Sequence, residues 1–121
     1  MSKFVIRRVE TGMKFDLCAD NGEIVAVSEV YSGLAGCHRG IESVKKCAAL
    51  GRIADLTRQE ADFSANPRFE LYRDRRGEYR FRLRARNGKI IAISEAYTSR
   101  GACAAGIESV ITGAAQADIE E

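Results

Sequence analysis

Hydrophobic and polar side chains alternate near the start of this chain, and the alternation predicts β-strands. Phe15, Leu17 and Ala19 are separated by single polar or small residues, the period of two that is typical of a strand with one buried face. Asn21-Gly22 follows and predicts a two-residue type I′ hairpin turn. The predicted strands of this part are residues 4–8, 14–20 and 24–31.

A different period follows and predicts a helix. Apolar residues recur at steps of three and four, which places them on one helix face: Leu34, Cys37, Ile41, Val44 and Ala48. Ser32 is a suitable N-cap, and Gly51 suits the end of the helix. Residues 52–57 then predict a fourth strand.

The stretch 31–44 returns as 97–110 at a constant shift of 66 positions. Its identical block is Gly40, Ile41, Glu42, Ser43 and Val44 in the first copy, and Gly106, Ile107, Glu108, Ser109 and Val110 in the second. The surrounding pattern also repeats, which predicts two β-β-β-α-β units. The predicted boundaries are 1–57 for the first repeat, 58–68 for a polar linker that contains the only proline, and 69–121 for the second repeat.

The size of each repeat predicts that both share one core. A unit of about 60 residues buries only about 60% of its unfolded surface and is marginal alone. A glycine inside a helix costs about 1 kcal/mol relative to alanine, so Gly40 and Gly106 indicate contacts too close for a methyl group. We expect the two helices to lie against each other, or tightly against the sheet, along these glycines.

Composition indicates a folded protein without a membrane span. Hydrophobic residues make up 45% and charged residues 30% of the chain, the balance of a soluble globular domain. The N-terminal residues lack the apolar core of a secretion signal, and no apolar run approaches the ~18 residues of a membrane span. The four cysteines are therefore expected to be reduced thiols in the cytoplasm, with no membrane partner.

A row of basic residues is the main candidate binding site. If Asn87-Gly88 forms a two-residue turn, alternate arginines of the preceding strand lie on one sheet face beside Ile91 and Ile93, and the last arginine faces Lys89. The candidate binding face is Arg80, Arg82, Arg84, Arg86, Lys89 and Tyr72.

Two interpretations of this face remain open. Arginines spaced ~6.6–7 Å apart along a strand suit phosphates or an acidic partner. Alternatively, the face is solvated and the arginine stems cover Ile91 and Ile93. The first copy has no arginine ladder at the equivalent positions, and Tyr72 is the one aromatic residue available for the base stacking that RNA-binding sheets use.

No catalytic, cofactor-binding or metal-binding residues are predicted. Cys37 and His38 are adjacent, which suits neither a zinc pair nor a nucleophile with its base. Neighbouring Glu and Ser of the identical block point about 100° apart on a helix and do not converge. Ser28 and Ser94 are instead expected to bond to the block's serines, and no phosphate-loop or nucleophile-elbow motif is present.

The repeated motifs resemble those of the YegP-like family of small bacterial proteins of unknown function. They are Phe69–Asp74, Gly77–Leu83, Asn87-Gly88, Ser94-Glu95, Tyr97–Ser99 and Gly106–Val110. The resemblance covers both copies and implies an α+β fold. In that fold, tandem β-β-β-α-β repeats form one shared antiparallel sheet, two helices pack on one face, and the C-terminal strands are exchanged between repeats. It implies no activity.

The function predicted from these features is a non-catalytic interaction module that binds an unknown protein partner. Weak nucleic-acid binding through the arginine-rich face is the alternative. A monomer with an internal pseudo-twofold is expected, and self-association is left open.

Overall fold

The computed structural model describes residues 2–58 and 65–121, so part of the predicted linker, residues 59–64, lies outside the described residues. The first half, residues 2–58, contains β1 Lys3–Val9, β2 Gly12–Cys18, β3 Ile24–Val27, α1 Leu34–Ala49 and β4 Ile53–Asp55. The second half, residues 65–121, contains β5 Arg68–Arg73, β6 Tyr79–Arg84, β7 Ile90–Ile93, α2 Arg100–Gly113, a 3₁₀ turn Ala114–Gln116 and β8 Asp118–Glu120.

These strands form one eight-stranded sheet in the order β4-β5-β6-β7-β3-β2-β1-β8. Within each half, the first three strands pair as antiparallel hairpins, and β3 meets β7 at the centre through Val27 and Ile93. β4 pairs in parallel with β5, and β8 pairs in parallel with β1. The predicted α+β fold with one sheet and two helices is confirmed, but the sheet is mixed rather than wholly antiparallel.

The core lies between one face of the sheet and the two helices. Its largest side chains are the phenyl rings Phe4, Phe15, Phe69 and Phe81. Phe4 contacts Phe15 edge-on, and Phe69 contacts Phe81 in the same way. Burying each ring stabilises the fold by about 1.5–3 kcal/mol, which explains why the alternating apolar positions determine which sheet face meets the helices.

The two Asn-Gly hairpins differ from the predicted type I′ turns. In the second, the Gly88 N–H donates to the Ala85 carbonyl at 2.9 Å, and the Ala85 N–H donates to the Lys89 carbonyl at 2.8 Å. Gly88 has a φ of 85°, whereas no non-glycine residue has a positive φ within the described ranges. Because a type I′ turn needs two positive φ values, this loop is a type I turn followed by a glycine bulge.

The longer loop changes the strand register by one residue. Arg82 pairs with Ile93 as predicted, but an irregularity after Leu83 sets Arg84 opposite Ile90 instead of Ile91. Ile91 consequently belongs to the core and is not beside the arginines. The predicted Ile91 and Ile93 strip is therefore wrong in its first member.

Tyrosine side chains, rather than the opposite helix, occupy the space beside the two helical glycines. A Cβ atom placed on Gly40 would lie 2.6 Å from Tyr31 Cζ, and one placed on Gly106 would lie 2.9 Å from Tyr97 Cζ. Each tyrosine is fixed by two backbone hydrogen bonds to the second strand of its own half, with Met13 or Tyr79. The predicted close contact is present, but each glycine meets a residue of its own half.

Ser28 and Ser94 form a local bridge within the sheet and do not bond to the helix serines. The Ser28 hydroxyl accepts from the Phe15 N–H at 2.9 Å and donates to the Glu29 carbonyl at 2.7 Å. Ser94 makes the equivalent bonds to the Phe81 N–H and the Glu95 carbonyl, both at 2.8 Å. Each hydroxyl proton is donated to a backbone carbonyl, and the described residues show no bond from Ser28 or Ser94 to Ser43 or Ser109. The expected bonds to the helix serines are therefore wrong.

Candidate functional site

Both helices pack on one side of the sheet, so neither of them covers the opposite side, termed the outer face. Its centre is an apolar strip from the two central strands: Ile24, Val27, Ile90 and Ile93. Ile24 is 41% and Ile93 36% exposed, and the other two side chains are half-buried. Val27 and Ile93 lie directly opposite each other, which makes the strip continuous across the junction of the two halves.

The second half carries a basic flank beside this strip. Arg82 Nε and Arg84 Nε donate to the same carboxylate oxygen, Glu70 Oε1, at 2.6 and 2.7 Å. Arg68 Nη2 donates to the other oxygen, Glu70 Oε2, at 2.6 Å. The Glu70 side chain is thus a buried anion held between three guanidinium groups.

The pKa of Glu70 reflects two opposing effects. The residue is only 2% exposed, and burial alone raises a carboxyl pKa. Hydrogen bonds from Arg82, Arg84 and Arg68 outweigh that effect and lower the pKa of Glu70 from 4.5 to about 2. The carboxylate therefore stays ionised at neutral pH and neutralises part of the arginine charge.

Arg80 and Tyr72 complete this flank. Arg80 Nε donates to Asp74 Oδ2 at 3.0 Å, and Arg80 Nη1 donates to the Ser94 carbonyl at 3.2 Å. The Arg82 guanidinium lies over the Tyr72 ring, 4.4 Å from its centroid, a cation–π arrangement. Arg80, Arg82, Arg84 and Tyr72 are therefore brought together on one face, as predicted.

Arg86 and Lys89 are not part of the flank. β6 ends at Arg84, and Arg86 lies in the hairpin loop on the helix side of the sheet, beside the end of α1. Lys89 Nζ forms an ion pair with Glu29 Oε1 at 3.0 Å, which links the two halves. The predicted four-residue ladder is therefore a group of three, because the bulged loop removes Arg86 from the strand.

The first half carries different chemistry at the equivalent positions. Asp16 stands opposite Val27 where Arg82 stands opposite Ile93. Asp16 is 5% exposed and accepts from Arg7 Nε at 2.9 Å. The apolar strip thus has a carboxylate beside its centre in one half and a guanidinium in the other.

Comparison with known proteins places this fold and sequence in a defined family. A family described as a domain of unknown function, DUF1508, matches residues 12–55 and residues 74–121. The chain belongs to this family.

Relatives of two lengths support the assignment. A UPF0339 protein of Methanosarcina acetivorans is 56% identical over 52 residues, which cover 43% of this chain and 90% of the relative. The UPF0339 protein YegP of Yersinia pestis is 30% identical over 112 residues, 92% of this chain and 87% of the relative. The solution NMR structure of a UPF0339 protein from Shewanella oneidensis has a TM-score of 0.79 and 28% identity, and the match covers 98% of this chain and 89% of that one. The YegP-like resemblance is confirmed.

In this DUF1508 member, the identical sequence block is mostly internal. Ile41, Val44, Ile107 and Val110 are fully buried in the core, whereas Glu42 and Glu108 are exposed. Ser43 and Ser109 each line a cleft beside the end of their helix. The block therefore holds each helix on the sheet and does not assemble a polar site.

The thiols and the histidine of this DUF1508 member lie apart from the outer-face charges. Burial raises the pKa of the Cys37 thiol and raises that of Cys103 to about 11. His38 Nε2 lies 3.2 Å from Glu121 Oε2 at the surface. Within residues 2–58 and 65–121, no three His, Cys, Asp or Glu side chains group closely enough to hold a metal ion. Neither α1 nor α2 has the length and apolar composition of a membrane-spanning helix.

Sequence reasoning missed two features of the outer face. The first is Glu70, whose alternation with Phe69 and Leu71 already placed it on the polar face of its strand. The second is the apolar strip, because the bulges reassign Ile24 and Ile90 to the outer face. The alternation of apolar and polar residues in the sequence does not reveal these register shifts.

Proposed function

We propose that this DUF1508 protein is a non-catalytic interaction module that binds another protein through its outer face. The observation that carries the proposal is the apolar strip at the centre of that face, where Ile24 and Ile93 are more than one-third exposed. Covering apolar surface yields about 25 cal/mol per Å². A partner that covered all four side chains of the strip would gain this energy without any rearrangement of the sheet.

The surroundings of the strip also suit a protein partner. Protein interfaces combine an apolar centre with a polar rim in which arginine and tyrosine are enriched. Here Arg82, Arg84 and Tyr72 form such a rim, and their positions are fixed by Glu70 and by ring stacking. A rim that is already ordered loses little side-chain entropy when a partner binds.

Nucleic-acid binding is the second candidate, favoured by three arginines on one strand face. Two observations weigh against it. Arg80 is paired with Asp74, and Arg82 and Arg84 share Glu70, so the charge available to phosphates is reduced. In addition, Arg82 lies over the Tyr72 ring, which a stacked base would have to displace.

A non-catalytic role is supported by the state of the buried thiols. Cysteine acts as a nucleophile in its thiolate form, which a raised pKa disfavours. Cys37 and Cys103 both have raised pKa values because they are buried.

We further infer that the two halves are copies of one unit that exchange their last strands. The parallel pairings of β4 with β5 and of β8 with β1 support this inference. Arg100 Nε also donates to Asp55 Oδ2 at 2.7 Å, which ties α2 to β4. The exchange would make the outer face one continuous surface rather than two small ones.

Photocrosslinking at position 93 tests the proposed function. A benzophenone amino acid replaces Ile93 in the full chain, and a matched variant carries it at Glu42, an exposed residue of α1 on the other side of the sheet. We expect defined protein adducts in cell extract from position 93 and not from position 42. Val27→Lys in the same chain should abolish them, because it places a charge in the apolar strip.

Other outcomes separate the alternatives. Adducts that contain nucleic acid, disappear with nuclease and weaken with Arg82→Gln and Arg84→Gln would favour the second candidate. Covalent dimers would identify the partner as another copy of this chain. Equal labelling from positions 93 and 42, or no adduct from 93, would contradict binding at the outer face.

A further inference from the structure

A cleft on the helix side of the sheet, separate from the outer face, combines apolar surface with basic side chains. It lies between the end of α1 and the β6–β7 hairpin and has a volume of about 590 Å³. Cys47, Leu50 and Pro67 contribute apolar surface, and Ser43, Lys46 and Arg86 contribute polar groups. This volume is within the range of about 300–1,000 Å³ that is usual for small-molecule sites.

An equivalent cleft of about 420 Å³ lies between the end of α2 and the β2–β3 hairpin. The same backbone elements form both clefts, but their side chains differ in a consistent direction. Lys46, Cys47, Leu50, Pro67 and Arg86 in the first cleft correspond to Thr112, Gly113, Gln116, Ser2 and Asp20 in the second. One cleft is thus apolar and basic, and the other is polar and carries an acid.

We propose that the cleft beside α1 binds a small organic anion with an apolar body, of the monocarboxylate class. Leu50 is 50% exposed although it is a large hydrophobic residue, so an apolar ligand would cover surface that water now contacts. Lys46 and Arg86 provide two cations at the same cleft, which a carboxylate complements.

The two cations are available for a ligand. Within the described residues, neither Lys46 nor Arg86 is engaged by a carboxylate. The nearby Lys89 is already paired with Glu29 at 3.0 Å. Ser43, Ala85 and Asn87 also line an adjacent recess of about 260 Å³. That recess contains Glu29, which is paired with Lys89.

An NMR titration with hexanoate tests the proposal on the full chain, with 1-hexanol as the neutral analogue. We expect saturable shifts of the Lys46, Cys47, Leu50 and Arg86 amide signals below about 10 mM hexanoate, the millimolar affinity usual for so small a ligand. Hexanol should bind about tenfold more weakly, since it lacks the carboxylate that would accept charge-assisted hydrogen bonds from Lys46 and Arg86.

Variants that exchange the chemistry of the two clefts provide the controls. Lys46→Thr with Arg86→Asp introduces the residues of the second cleft and should weaken hexanoate binding at least about tenfold. Leu50→Gln should also weaken it, whereas Thr112→Ala in the second cleft should leave it unchanged. The side chains at all four positions are exposed, so the melting temperatures should not change. Unchanged melting temperatures would show that the variants fold as the unmodified chain does.

Three results would overturn the proposal: no saturable shift at these amides, equal binding of hexanol, or binding that survives the Lys46→Thr and Arg86→Asp changes. The outcome does not depend on the proposed function, because this cleft and the outer face are on opposite sides of the sheet.

Discussion

The two halves of the molecule have the same internal contacts but different surfaces. Tyr31 packs on Gly40 as Tyr97 packs on Gly106, and Ser28 and Ser94 make the same pair of hydrogen bonds. The tyrosine contacts lie between each helix and the sheet, whereas the serine bonds lie within the sheet. A larger side chain at either glycine would therefore displace a tyrosine or a helix.

The side chains of the two halves differ at surface positions, outside these internal contacts. Beside the apolar strip, Asp16 stands at the position equivalent to Arg82. Asp16 is paired with Arg7, whereas Arg82 is paired with Glu70. The helix ends diverge similarly, with Lys46 and Leu50 in one half and Thr112 and Gln116 in the other. The difference shows that one scaffold supports two surface chemistries, so functional residues are to be sought among the positions that differ.

The largest effect is expected from filling the space beside the helical glycines. Gly40→Leu and Gly106→Leu should each destabilise the protein by about 3 kcal/mol or more, because the new side chain would displace a half-buried tyrosine ring that packs against the core. Chemical denaturation measures the loss. Gly101→Leu is the matched control on α2, since a Cβ placed there would meet nothing within 4 Å apart from its chain neighbours and the backbone of its own helix, and it should change stability little.

Similar losses at Gly40 and Gly106 would support equal internal constraints in the two halves. A stability near that of the unmodified chain for either leucine variant would show that the tyrosine moves aside, and the constraint argument would then fail for that half.

The sequence predicted the parts of the fold that depend on periodicity. Steps of three and four placed Ile41 and Val44 in the core, and alternation placed Arg80, Arg82 and Arg84 on one face. Both patterns predict the observed faces because burial of apolar side chains determines which face of a helix or strand turns inward.

Two kinds of feature could not be predicted: those that depend on a one-residue shift in strand pairing, and those that depend on a contact between two different elements. Asn-Gly also suits a three-residue loop with a glycine bulge, and that loop, which is the one formed here, removes Arg86 from the strand. Tyr31 lies between β3 and α1 and contacts Gly40, nine positions later on the helix, and no local pattern encodes that contact.

The next largest effect concerns the carboxylate at the centre of the basic flank. The pKa of Glu70 is about 2 in the folded protein and 4.5 ordinarily, a difference that corresponds to roughly 3 kcal/mol of stability. Because the folded pKa is the lower one, this stability is fully present above pH 4.5 and is lost as the pH falls from 4.5 toward 2. Glu70→Gln should therefore destabilise the protein strongly at pH 7 and much less near pH 2.

Denaturation of both proteins across this pH range measures the effect. Asp16→Asn gives the comparison in the other half. Among the described residues its carboxylate is paired with Arg7, which is about half exposed, so a smaller loss at pH 7 is expected. If the difference in free energy of unfolding between the unmodified chain and Glu70→Gln stayed constant down to pH 2, the proposed role of the ionised Glu70 carboxylate would be contradicted.

The smallest effect is expected from removing the serine hydroxyl that bridges two backbone groups in each half. The comparison shows whether this bridge contributes equally to stability in the two halves. Ser28→Ala and Ser94→Ala each leave a buried N–H, of Phe15 or Phe81, without its hydroxyl acceptor, which should cost about 1–3 kcal/mol. Because the distances agree within 0.1 Å between the halves, the two losses in urea denaturation should be similar. Ser109→Ala, at a half-buried position beside the second cleft, is the control and should change stability by less than about 0.5 kcal/mol. Unequal losses at Ser28 and Ser94 would mean that the surrounding packing, and not the shared bridge, determines how firmly each half is held.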